Sequence, residues 1–187
     1  MEKGGLTQTL QKAGVKTPQG LVWEDEMRVG LIGQVRRAWS PRGVKVIQPL
    51  EYTHEWCYLV LLVNPIRGTL RWTWTLNMKG VSLAPVLRRW AQHGLRTVVW
   101  DRARGHGGPA YAGLKVKRIE QPPYSPELNP AERIFEYLRD KIEGIVYGSM
   151  EAKMVAVDKE LQHLAAQPQQ VKSLAGWSWI LNALAAL

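Results

Sequence analysis

Cysteine is nearly absent: the 187-residue chain has one, Cys57. A single thiol excludes an internal disulfide and any cysteine-built zinc site. Cys57 stands in an apolar run and reads as a buried strand residue. Long hydrophobic runs are absent too. The longest, Cys57 to Val63, stops at Asn64-Pro65 and is far too short to cross a bilayer. The opening stretch, MEKGGLTQTLQKAG, has no apolar signal core. A cytoplasmic protein is the expectation. There is no internal repeat and no low-complexity tract. Acids are in short supply, with 16 Asp+Glu against 25 Lys+Arg, giving a net charge of +9 and a pI near 9.8. Such a balance attracts phosphate backbones, through binding that weakens with salt. What is present is ordinary for one globular domain: 45% hydrophobic and 22% charged residues.

Residues 1–18 are polar, end at Pro18, and read as a tail or linker with at most a short helical turn. Strand signals then crowd together. Leu21-Val22-Trp23 leads into Glu24-Asp25-Glu26, Val29 to Ile32 is a second run, and Val44 to Ile47 a third that alternates. Between the last two lies a basic turn, Arg36-Arg37-Ala38-Trp39-Ser40-Pro41-Arg42-Gly43. Trp56 to Val63 is β-prone, Asn64-Pro65-Ile66-Arg67-Gly68 is a hairpin signal, and Thr69 to Leu76 alternates. An antiparallel meander is predicted for this first part.

The period then changes. Leu83, Val86, Leu87 and Trp90 follow helical spacing up to Gly94. Thr97 to Trp100 is a short buried strand ending at Asp101, and a glycine-rich loop follows at 105–109. Val116 to Ile119 offers one more strand. Asn129-Pro130-Ala131-Glu132 opens a helix with Ile134, Phe135, Leu138 and Ile142 on one face. Helices over 150–165 and 174–186 complete a mixed α/β layer, with antiparallel first strands flanked by helices. Trp72 and Trp74, like Trp177 and Trp179, read as core or interface rather than platforms for stacked bases.

Three carboxylates stand out. Asp25 lies at or near the end of the first strand, and alternation puts Glu24 and Glu26 on the opposite face. Asp101 directly follows a buried strand, where α/β sheets bind ligands. Glu132 sits where a capping-box carboxylate belongs, with Asn129 as N-cap and Pro130 at the first helical position. Capping and a site would use the same geometry there. Two Asp at strand ends and a Glu on a following helix converge on one sheet edge. Three converging carboxylates repel unless they bind cations, and hard oxygen ligands suit Mg²⁺ or Mn²⁺. On a basic protein, that combination points to phosphodiester chemistry.

Four segments carry a family resemblance: Glu24-Asp25-Glu26; Trp39-Ser40-Pro41-Arg42-Gly43; Trp100-Asp101-Arg102-Ala103-Arg104-Gly105-His106; and Pro122-Pro123-Tyr124-Ser125-Pro126-Glu127-Leu128-Asn129-Pro130-Ala131-Glu132-Arg133. In this order, from about residue 20 to about residue 145, they resemble DDE transposases, in particular the bacterial insertion-sequence group related to mariner elements. The proline-rich run is the most specific. The resemblance implies an RNase H-like fold over 19–187 and a metal-binding catalytic triad of Asp25, Asp101 and Glu132, with Asn129 and His106 in support. It implies two Mg²⁺ or Mn²⁺ ions per site, hydrolysis and strand transfer at transposon ends, duplex DNA (ends and target) as partner, and a homodimer at the nucleoid. Three features depart from the pattern. Arg102 stands where the family usually has Asn. Glu132 follows Asp101 by 31 positions, a few fewer than usual. No helix-turn-helix region precedes the catalytic residues, so a separate N-terminal DNA-binding product is a further expected partner. Basic residues expected to position phosphates are Arg36, Arg37, Arg42, Arg102, Arg104, Lys115, Lys117 and Arg133. Two other readings stay open: a different RNase H-like nuclease, and an inactive remnant that only binds DNA.

Overall fold

The computed structural model describes residues 5–33, 39–122 and 125–187, apart from the side chain of Arg104. Five strands form one sheet in the order β3-β2-β1-β4-β5: β1 (Leu21–Gly30), β2 (Trp56–Asn64), β3 (Thr69–Thr75), β4 (Thr97–Trp100) and β5 (Lys117–Glu120). β1, β2 and β3 are the expected antiparallel meander, while β4 pairs parallel to β1 and β5 parallel to β4. The hairpin between β2 and β3 forms where Asn64 signals it. The Asn64 side chain accepts from the Ile66 and Arg67 amides at 3.0 and 2.8 Å, and its amide group donates to Gln19 O at 2.8 Å.

Among the described residues, six α-helices surround the sheet: α1 (Gly5–Lys12), α2 (Gly80–Gln92), α3 (Ala131–Ile142), α4 (Met150–Ala165), α5 (Pro168–Ala175) and α6 (Ser178–Ala185). α2 covers one face, where Leu83, Leu87 and Trp90 pack on Val60, Leu62, Val98 and Trp100. α3 to α6 and α1 cover the other, where Ile134, Phe135 and Leu138 pack with Trp23, Leu59, Leu61 and Val99. The two clusters follow from strand alternation: each strand sends successive side chains to opposite layers.

Four expectations need correction. β1 is one continuous strand, so Asp25 sits in its middle and not at an end. The acidic run stays extended because it is paired in the ladder, with Glu24, Asp25 and Glu26 opposite Leu62, Leu61 and Val60. The alternating run Val44 to Ile47 forms no strand: it has no sheet partner, and Val44, Val46 and Ile47 are exposed. The N-terminal segment is more than a tail, since Leu6 and Leu10, one helical turn apart, are buried where α1 meets α6. Thr7 also donates to Ala183 O at 3.2 Å. The C-terminal segment is two helices, because Pro168 starts α5 early and the chain leaves helical geometry at Gly176 and Trp177. Cys57 is buried, as expected, and Trp72 and Trp74 are half-buried, both indole N–H groups donating to Asp158 Oδ1 on α4 at 2.8 and 3.0 Å.

Candidate active site

Alternation decides which way each acid of β1 points. Asp25 pairs across from Leu61 and shares its face, the one covered by α3. On β4, Val99 points to that face and Trp100 to the other, so Asp101, the next residue, returns to the side of Asp25. Glu132 is in the first turn of α3, which packs on this face. All three line one cleft of about 460 Å³, together with Arg102, Ala103, Gln121, Pro122, Ser125, Pro126 and Asn129. Their carboxylates stand apart. Among the described residues, the three-residue group of His and acid side chains whose ligand atoms all lie within 4.8 Å is Glu24, Glu26 and His106 instead.

Each carboxylate is held by its own local structure. Asp25 accepts from the Glu26 amide at 2.8 Å and from Asn129 Nδ2 at 3.0 Å. Asn129 is 2% exposed and fully used: Nδ2 also donates to Glu24 O at 3.1 Å, and Oδ1 accepts from the Ala131 amide at 3.1 Å. It therefore ties the start of α3 to the middle of β1. The Asn129 amide donates to Pro126 O at 2.9 Å, so Glu132 makes no reciprocal capping bond there. Its carboxylate lies in the cleft instead, 3.8 Å from the Arg139 guanidinium. Asp101 accepts from the Ala103 amide at 2.8 Å and from His106 Nδ1 at 2.8 Å.

Electrostatics divide the acids into two groups. Burial pushes the Asp25 carboxyl up to about 8, against the Glu26 amide bond that pulls it down, and Glu132, Glu26 and Asp101 add repulsion. Asp101 is held below the ordinary carboxylate range by the His106 bond, which outweighs its partial burial. On the far face, Glu24 is 2% exposed and raised well above the ordinary range by burial and by the charge of Glu26. His106, 6% exposed, closes this pocket. Its Nε2 is 2.9 Å from Glu26 Oε1 and 3.5 Å from Glu24 Oε2, and its ring stacks on Trp100 with centroids 4.4 Å apart. Burial alone would lower its pKa, but the bonds to Asp101 and Glu26 and the charges of Glu24 and Glu26 push it up to about 11. The imidazolium therefore brings one positive charge to the buried pair, in which Glu24 is pushed towards its protonated form, and grips Asp101 with its other nitrogen. Gly105 makes this turn possible: a Cβ there would collide with the Met78 carbonyl oxygen.

The basic residues named from sequence scatter. Arg102 lines the cleft and pairs with Glu120 at 3.3 Å. Arg133 is turned to Glu136 at 2.6 Å and lies over the Trp177 ring. Lys115 and Lys117 are at the start of β5, away from the cleft at its end. Arg42 is exposed in a turn, whereas Arg36, Arg37 and the Arg104 side chain lie outside what is described. Sequence reasoning missed Gln121, which lines the cleft and is buried through its bond to Leu128 O at 3.1 Å. It also assigned no work to Glu24 and Glu26, although their alternation with Asp25 was the signal.

Comparison with known proteins bears on this arrangement. A comparison with curated sequences returned no match. Among solved structures, the chain is similar to the Mos1 transposase paired-end complex with the left transposon end (TM-score 0.66, 12% identity, covering 97% of this chain and 60% of that one). It is likewise similar to a pre-cleavage Mos1 transpososome (TM-score 0.68, 12% identity, 98% and 60%) and to the Mos1 mariner paired-end complex with Mn (TM-score 0.66, 11% identity, 97% and 62%). The chain thus spans about 60% of the length of those proteins. The fold and the edge-on cleft define an RNase H-like domain. Residues 20–151 match the model of the DDE superfamily endonucleases, and the chain belongs to that family.

Proposed function

We propose that the chain is the catalytic domain of a DNA transposase, with Asp25, Asp101 and Glu132 as ligands for two Mg²⁺ or Mn²⁺ ions. One observation carries this reading. Three carboxylates from β1, the end of β4 and α3 line one cleft, and the charges acting on Asp25 there are all negative. Asp101 has His106 and Glu132 has Arg139 nearby, but Asp25 has no internal cation, and its ionised form is favoured only when a cation is added from outside. The donors are hard oxygens facing an open cleft, which fits a divalent ion of this kind. Held by Asp25, Asp101 and Glu132, such ions would supply Lewis-acid activation of a water nucleophile and of a leaving 3′ oxygen.

The protein's own residues supply the positioning. The Glu26 amide and Asn129 fix Asp25 from two sides. His106 and the Ala103 amide fix Asp101. Entry into α3 aims Glu132. Arg102, at the cleft wall, is placed to meet a phosphate strand. The substrate is duplex DNA at transposon ends and then at a target, as the Mos1 complexes suggest by likeness. Pairing of two ends calls for a dimer, and reading of the ends for a further DNA-binding segment or separate product. No described helix is long and apolar enough to cross a membrane.

The test is Mn²⁺-dependent nicking of supercoiled plasmid by the purified chain beside Asp101→Asn. The expected result is nicking that needs both metal and Asp101, with DNA binding kept or strengthened in the variant. Undiminished nicking by Asp101→Asn sinks the assignment. No nicking by either protein, with binding retained, favours a DNA-binding remnant.

A further inference from the structure

The cleft leaves the other layer of the molecule unexplained. Charge is unevenly distributed along the chain. From Trp56 to Ile119 there are eleven Lys and Arg and one acid, Asp101. From Glu120 to Glu160 there are nine acids and five Lys and Arg. The first stretch contains α2 on one face of the sheet, and the second contains α3 and α4 on the other.

The two layers also treat their cations differently. In the second stretch, Arg133 and Arg139 face Glu136 and Glu132. Around α2 the partners are neutral. Arg88 donates to the Ala110 and Ala112 carbonyls at 2.6 and 3.2 Å, and Arg96 to those of Ala91 and Leu95 at 2.8 and 3.1 Å. Arg89 donates to the Thr73 hydroxyl at 3.0 Å and Arg71 to the His93 carbonyl at 2.9 Å. Such bonds hold a guanidinium in place without cancelling its charge. Among the described residues, none of these four arginines forms a salt bridge.

Arg88, Arg96 and Lys115 line a cleft of about 590 Å³ that has no acid and no aromatic in its wall. Arg96 directly precedes β4, whereas Asp101 directly follows it. The basic cleft is therefore separated from the proposed site by the length of β4, about 13 Å, and by the sheet itself.

We propose that this α2 face is a second nucleic-acid surface, holding the phosphate backbone of a duplex DNA segment other than the one being cut. Fixed, uncompensated guanidinium groups are suited to phosphate oxygens. A wall without aromatics offers nothing for unpaired bases to stack on, which favours a duplex over a single strand. The choice of DNA as the polymer rests on the transposase reading; the choice of a polyanionic backbone rests on the charges alone.

The experiment is metal-free binding of a short fluorescent duplex of arbitrary sequence to the full chain, by anisotropy, over a range of salt. R88Q/R96Q is expected to flatten the slope of log K against log salt by about 0.9 for each phosphate no longer neutralised, about 1.8 in all. R88K/R96K keeps the charge and is expected to restore the slope. Ser149→Ala, which lines neither cleft, is expected to keep the wild-type slope. A wild-type slope in R88Q/R96Q overturns the proposal. So does a lysine double variant as weak as the glutamine one, because the weakening would then be structural. If plasmid nicking proves independent of Asp101 while R88Q/R96Q still flattens the slope, the cleft reading falls and the α2 surface stands.

Discussion

The three consecutive acids of β1 meet two different fates. Glu24 and Glu26 point into a closed layer and receive a cation from the protein itself, the His106 imidazolium. Asp25, between them, points into an open cleft and receives two hydrogen bonds but no cation. A protein that wanted only to bury this acidic strand would neutralise both faces. The absence of a countercharge at Asp25 itself is what the proposed ion site requires. His106 joins the two sides, because the nitrogen opposite Glu26 holds Asp101.

Variants that disturb this contrast differ in size of effect. His106→Leu removes the internal cation and leaves the buried pair uncompensated, so urea denaturation at pH 7 should show a loss of about 3–5 kcal/mol. An unchanged midpoint would mean that the imidazolium does not stabilise the buried pair and that the two faces are alike. Asn129→Ala deletes the link between α3 and β1. It should cost about 1–3 kcal/mol by the same measurement, because the Asp25 carboxylate and the Ala131 amide both lose a buried partner.

Next comes the dependence on pH. The folded pKa of Asp25 is raised from 3.8 to about 8, so the folded state holds its proton more tightly than the unfolded state does. This contribution to stability is present at low pH and is lost as pH rises from about 4 to about 8. His106, raised to about 11, acts in the same direction, its contribution being complete below about 6.5 and lost as pH climbs towards 11. Thermal melting should therefore show the metal-free protein weakening above neutrality. Mn²⁺ should raise the Tm more at pH 8.5 than at pH 5, and Asp25→Asn should erase most of that difference. An equal Mn²⁺ shift at both pH values would count against Asp25 as a ligand. The smallest effect serves as a control outside the cleft: Ser149→Ala removes the cap on the Ala152 amide and should cost about 1 kcal/mol without altering the Mn²⁺ response.

Much of this was legible in the sequence. Period and punctuation sufficed for β2, β4, α2 and α3, which bury apolar runs or stripes, whereas β5 buries only Ile119. That Asp25, Asp101 and Glu132 share one cleft was legible from the position of Asp101 after a buried strand and from the family motifs, although the reading of Asp25 as a strand-end residue was not correct. Other elements depend on partners that no local pattern reveals. Val44 to Ile47 alternates as a strand does but has nothing to pair with. Leu6 and Leu10 are two apolar residues in a polar stretch, and only α6 makes them core. Lys115 and Lys117 are near Asp101 in sequence and at the far end of the sheet in space. The work of Glu24 and Glu26 was hidden because it needs His106, brought back from a distant turn.

The sheet order has a consequence for how such a site comes into being. β1, β2 and β3 are neighbours in the chain as well as in the sheet: β2 and β3 close through the turn at residues 65–68, and β1 reaches β2 across residues 31–55. The pairing of Leu21 with Thr97 spans 76 positions and must wait for everything between. On a ribosome, Asp25 would emerge and pair long before Asp101 or Glu132 exists. A partly made chain therefore carries Asp25 in place before the other two acids of the proposed site exist, and the cleft between them forms only after β4 and α3 have been made.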